Sequence, residues 1–111
     1  MTSGRSNHDS FARTLKRRVL EGAGETDAAL RQGVAARAAG GPSIETPYDD
    51  LARQIGEAAY CTTDAQVASV LAAAGSEKRA FEVIATAAMG AGLLRWQQAI
   101  KVLEEAGDAL G

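Results

Sequence analysis

Apolar residues recur at helical spacing along most of the chain, and no segment alternates with period two over a strand's length. In HDSFARTLKRRVLEG, Phe11, Leu15 and Val19 fall four residues apart. That is the mark of an amphipathic helix, with Asp9 or Ser10 to cap it and Gly22 to stop it. Residues 1–8 are polar and aperiodic and read as a flexible tail. GETDAALRQGVAARAAGG predicts a second helix, capped by Thr26 and ending at the Gly40-Gly41 pair. Its apolar face is mostly alanine, which predicts a peripheral position.

GGPSIE (40–45) is a loop, and TPYDD after it is a helix start: Thr46 as N-cap, Pro47 at the first helical position, Asp49 and Asp50 in the first turn. Leu51, Ile55 and Ala58 or Ala59 then line one face. After a break at CTT, Thr63 with Gln66 three residues on has the form of a capping box. Val67, Val70, Leu71 and Ala74 make the next stripe, and Gly75 sits where a C-terminal cap belongs. Ser76 caps the last and longest helix, 77–106, whose middle is apolar all round and predicts burial on every side. Ala87, Ala88, Gly90, Ala91 and Gly92 would let another backbone approach closely. Glycine costs about 1 kcal/mol in a helix interior, so two of them imply a packing reason. The expectation is an all-α single domain over 9–111, with about five helices and a long central C-terminal one.

Composition sharpens this picture. A chain of 111 residues with one Trp, two Phe and two Tyr has few large side chains, and alanine favours helix while burying little area. Closely packed helices, and subunits that share a core, suit that balance. One cysteine cannot form an internal disulfide, which fits a reducing compartment. The N-terminal residues lack the apolar core of a signal peptide. The longest uncharged apolar run, VIATAAMGAGLL (83–94), is shorter than the roughly 18 residues of a membrane span. A cytoplasmic protein with no membrane segment is expected. The net charge of −2 is unevenly spread: residues 1–42 carry seven Lys/Arg against four Asp/Glu, and residues 43–111 five against ten. Such asymmetry can steer subunits or partners together.

The stretch PYDDLARQIGEAAYCTTDAQVASVLAAAGSEKRAFEVIATAAMGAGLLRW resembles the carboxymuconolactone decarboxylase-like group of the AhpD-like superfamily. The similar elements are the TDAQV helix start, the small-residue run into AAGSE, and FEVIATAAMGAGL opening the long helix. The resemblance implies an AhpD-like helical fold and a homo-oligomer, a trimer or hexamer. Active relatives of the alkylhydroperoxidase kind carry Cys-x-x-Cys-x-x-x-His at this helix start. Aligned on Gly75, those positions fall on Tyr60, Thr63 and Val67; aligned on Cys61, the second and third fall on Asp64 and Ala68. Both registers lose the second cysteine and the histidine, so the likeness carries the fold and not the thiol chemistry.

The candidates for chemistry are Glu57, Cys61, Glu82 and Arg95. A nucleophilic thiol needs a helix N-terminus or positive charge beside it; Cys61 instead follows a helix C-terminus, with Glu57 and Asp64 as near neighbours in sequence. A structural thiol is therefore expected, and not a peroxidatic one. His8 lies in the expected tail, where nothing would hold it as a general base. No His/Cys cluster suits a metal, no phosphate-binding glycine loop follows a strand, and no cofactor is expected. Asp49, Asp50 and Asp64 are explained as first-turn acids, which leaves Glu57 and Glu82 to line a cleft with Tyr60 and Arg95. Arg95-Trp96, a pair enriched at interface hot spots, suits a subunit interface better. RTLKRR is basic, and TDAQVASVLAAAGSEKRAFEVIA has the outline of a helix-turn-helix. A recognition helix, however, keeps one face open for the groove, and this one turns apolar all round; the chain is also acidic overall. The leading expectation is an oligomeric binding or accessory subunit, with a protein partner as one role. A decarboxylase-type enzyme using carboxylate and arginine chemistry on a small acidic metabolite is the first alternative, and a DNA-binding protein the second.

Overall fold

The computed structural model describes residues 3–110, with side chains described over 10–108. Five α-helices follow one another: α1 (Ser3–Glu21), α2 (Ala28–Ala38), α3 (Tyr48–Ala58), α4 (Asp64–Ala74) and α5 (Glu77–Leu110). A 3₁₀ turn, Ala59–Cys61, continues α3. No strand occurs among the described residues. The all-helical reading and its long C-terminal helix hold. At about 1.5 Å per residue the 34 residues of α5 span about 51 Å, which accounts for the molecule's longest dimension of 53 Å. His8 lies outside the described side chains. The helix containing it begins at Ser3, upstream of the Asp9 or Ser10 cap expected from sequence and within the stretch read as a tail.

The local punctuation is largely as expected. Thr63 accepts from the Gln66 backbone N–H at 3.1 Å while the Gln66 side chain accepts from Thr63 N–H at 2.9 Å, closing the capping box. Gly75 ends α4 at φ 89°, the left-handed conformation that glycine adopts without steric cost. Ser76 Oγ accepts from Arg79 N–H at 3.1 Å at the start of α5. Two caps differ. Pro47 is itself the N-cap of α3, with Tyr48 the first helical residue. Asp27, and not Thr26, occupies the N-cap of α2, without a side-chain bond; the Thr26 hydroxyl donates to Glu82 of α5 instead.

The position of α2 is the main departure. It is not peripheral but central, packed against α1, α3 and α5, with Val34, Ala35 and Ala38 buried. Its alanines permit this. A Cβ on Gly90 of α5 would run into the backbone carbonyl of Ala35, and one on Gly56 of α3 into that of Ala38. Two glycines on opposite sides thus let neighbouring helices lie directly on the α2 backbone. The core around this clamp is Val34, Leu51, Ile55, Val70, Val83 and Ala87, with Tyr48 at its edge.

Burial of the apolar stripes is incomplete. On α5, Ala80, Val83, Ala87 and Ala91 are buried, but Ala85, Ala88 and Gly92 are exposed, so the helix is not enclosed on every side. On α4, Val70 and Ala74 are buried while Val67 and Leu71 stay partly open. Among the described side chains of α1 only Leu20 is buried; Phe11 is 71% exposed and Leu15 40%.

Candidate functional site

Glu82, on the first third of α5, is the most engaged of the four candidates. Its carboxylate accepts from the backbone N–H of Glu25 at 3.0 Å and of Thr26 at 3.0 Å, and from the Thr26 hydroxyl at 2.8 Å. Buried Arg31 of α2 stands 3.7 Å away and donates to the carbonyls of Thr26, at 2.8 Å, and of Gly22. The loop between α1 and α2 is therefore wrapped around one carboxylate and tied from below by one guanidinium. Gly24 leaves room for the wrap, since a Cβ there would press on the ends of the Arg31 and Glu82 side chains, coming within 2.9 Å of Glu82 Oε1. These bonds, the Glu25 amide first and Thr26 next, hold the Glu82 pKa down from 4.5 to about 2. The carboxylate is ionised at neutral pH, with its oxygens directed into the fold.

Arg95 donates to the carbonyl of Gly56 at 2.7 Å and so secures the last turn of α3 to α5. Glu57, exposed, pairs with Arg53 at 3.1 Å, and Arg53 also meets Asp50 at 2.9 Å. Arg53 and then Gln66 lower the Asp50 pKa through hydrogen bonds. Asp49 does more than start a helix: one oxygen accepts from Arg37 at 2.9 Å and from Ile44 N–H at 3.0 Å, fixing the loop before α3. Cys61 is a free and exposed thiol on the 3₁₀ turn. Among the described residues, no group of three His, Cys, Asp or Glu side chains has the arrangement of a metal site. Among the described residues, no helix is long and apolar enough to cross a membrane.

The clefts do not gather the candidates. Glu82 lines one of about 240 Å³ with Arg18, Arg31, Phe81 and Thr86. Glu57, Cys61 and Arg95 line none of the five main clefts among the described residues. A cleft of about 230 Å³ between α3 and α5 is walled by Leu51, Ile55, Ala59, Val67, Ile84 and Thr62. The Thr62 hydroxyl there is buried without a hydrogen-bond partner. An unpaired buried hydroxyl is destabilising, so Thr62→Val is expected to raise stability by about 1 kcal/mol. Thermal denaturation of the two proteins checks this, and a loss of stability would mean that the hydroxyl is needed there.

Two further clefts lie between α1 and α5. One of about 300 Å³ is lined by Phe11, Leu15, Met89, Leu93 and Trp96. A second of about 300 Å³ continues it past Arg13 and Lys16 to Ile100 and Glu104. Sequence reasoning singled out Trp96 but missed that Phe11 and Leu15 stay open beside it, and it missed Arg31 and Gly24 altogether. Comparison with protein-family models, curated proteins and solved structures returns no significant match.

Proposed function

We propose that the chain is a self-associating helical subunit that works by binding, as a diverged relative of the carboxymuconolactone decarboxylase-like proteins without their thiol relay. The family part of this reading rests on the sequence resemblance alone. The binding part is carried by one observation: large apolar side chains are left open on α1 and α5, while Glu82 and Arg95 are engaged in holding the fold. Phe11, Trp96, Val102 and Leu103 are 71%, 42%, 63% and 66% exposed. Phe11 and Trp96 line one cleft between the two helices, and an open apolar surface of this kind is what a helical protein uses to meet another surface.

Redox turnover by Cys61 would need a resolving thiol and a proton acceptor. The chain has no second cysteine, and Cys61 lies on an exposed turn. The test combines two measurements on the full chain. Light scattering at micromolar concentration is expected to show a species larger than the monomer, and Cys61→Ser is expected to leave its mass and melting temperature nearly unchanged. A hydroperoxide assay with a thiol reductant is expected to show no turnover. Catalytic consumption that disappears in Cys61→Ser would replace the binding reading with a thiol enzyme.

A further inference from the structure

We propose that the space between α1 and α5 binds an amphipathic anion, a single carboxylate head on an apolar tail. Arg13, Lys16 and Lys101 hold the head, and the tail lies toward Phe11 and Leu15. The helical repeat builds the two ends of this site. On α1, Phe11 and Leu15 are one turn apart on one edge. Arg13 and Lys16 fall on the opposite edge, with Ala12 between. On α5, Leu93, Gln97, Lys101 and Glu104 follow at intervals of four, four and three, along the face that meets α1. One edge of α1 thus borders a cleft of about 300 Å³ with the cations on its walls. The other borders a cleft of about 300 Å³ that no charged residue lines. The two share Ala12, Leu93 and Trp96, so a charged end and an apolar end meet at those residues.

The charges select the sign of the ligand. The chain is acidic overall, with 14 Asp and Glu against 12 Lys and Arg, and Arg31, Arg37, Arg53 and Lys78 each meet a carboxylate. Arg13, Lys16 and Lys101 make no ion pair or hydrogen bond among the described residues. They come from two helices and line one cleft. Lys101 is the one basic residue after Arg95, and it stands in this cleft. Glu104 lines the cleft as well, so three cations face one carboxylate there, and the balance favours an anion. The apolar cleft selects a tail, because each methylene buried there is worth about fourfold in affinity. An inorganic anion gains nothing from that end, and a neutral hydrocarbon nothing from the other. The whole site lies within one chain. The proposal is therefore independent of self-association, which light scattering tests separately.

Trp96 is the only tryptophan and lines both clefts, so its fluorescence reports binding. Titration of the full chain with decanoate, below its micelle concentration, is expected to give a saturable change. Decanol has the same tail and no charge, and acetate the same head and no tail. Each is expected to bind at least about tenfold more weakly. K16Q/K101Q is expected to weaken decanoate about tenfold and to leave decanol unchanged. R17Q/R79Q removes as many exposed charges from positions that line neither cleft, and is expected to leave decanoate binding unchanged. F11S, at an exposed position, is expected to weaken decanoate and decanol alike. Circular dichroism and the melting temperature establish that each variant folds. The absence of a saturable change, or an equal loss in the two double variants, would overturn the proposal. So would association with vesicles of phosphatidylglycerol and phosphatidylcholine without any response to decanoate, which would make the cations a membrane contact.

Discussion

Glu82→Ala is expected to lower stability by about 3 kcal/mol and the melting temperature by on the order of 10 °C. The substitution removes the acceptor of two backbone N–H groups and one hydroxyl, and it leaves the buried Arg31 guanidinium without its carboxylate. Glu82→Gln keeps the shape but loses the charge, and is expected to cost about 2 kcal/mol. The pH dependence identifies the cause. The Glu82 pKa is lowered in the folded chain to about 2 from 4.5, so its contribution is complete above about 4.5 and is lost as pH falls toward 2. Stability measured by urea denaturation between pH 7 and pH 3 is therefore expected to fall more steeply in wild type than in Glu82→Gln. Parallel profiles would show that the carboxylate's charge contributes nothing and that the loop is held by shape alone.

Glu82 also shows where sequence reading stops. Its partners lie 56 and 57 residues away in the chain, and no local pattern connects a glutamate in α5 with a loop after α1. It was therefore legible only as an unassigned carboxylate. The Thr63–Gln66 box, the Gly75 stop and the Ser76 cap were legible because each is decided within four residues by backbone groups that need a partner. Helix existence follows from the same local signals, which is why the five helices and the long final one could be read. The site was less legible than the fold. Trp96 could be singled out by residue type as an interface candidate, but the openness of Phe11 and Leu15 depends on how far α1 stands from α5. Helix α2 was misplaced for a related reason: alanine carries a weak hydrophobic signal, so a helix of alanines looks peripheral. Small volume is what admits it to the centre, provided that its neighbours are smaller still at the contact.

That condition leads to opposite outcomes for two glycines two positions apart in the same apolar run. Gly90→Ala is expected to destabilise by about 2 kcal/mol, because the new Cβ meets the Ala35 carbonyl, with the Ala35 Cα at 2.8 Å and its carbonyl carbon at 2.9 Å. These are backbone atoms, so relief requires α2 to move off α5 and to disturb Val34 and Ala38 in the core. The gain in helix propensity, about 1 kcal/mol, is already included and only partly offsets the clash. Gly92→Ala keeps that gain without the clash, since nothing lies within 4 Å of a Cβ there. It is expected to stabilise by roughly 0.5–1 kcal/mol. Chemical denaturation of both variants, with light scattering to record the assembly state, measures the contrast. Equal effects at the two positions would show that α2 does not rest on α5 at Gly90, and would remove the physical reason for its burial. The position of Gly92 adds a second reading to the same experiment, because it lies beside Leu93 and Trp96 in the cleft facing α1. If Gly92→Ala stabilises the monomer yet weakens association, the small residue at that point serves the approach of another helix and not the core.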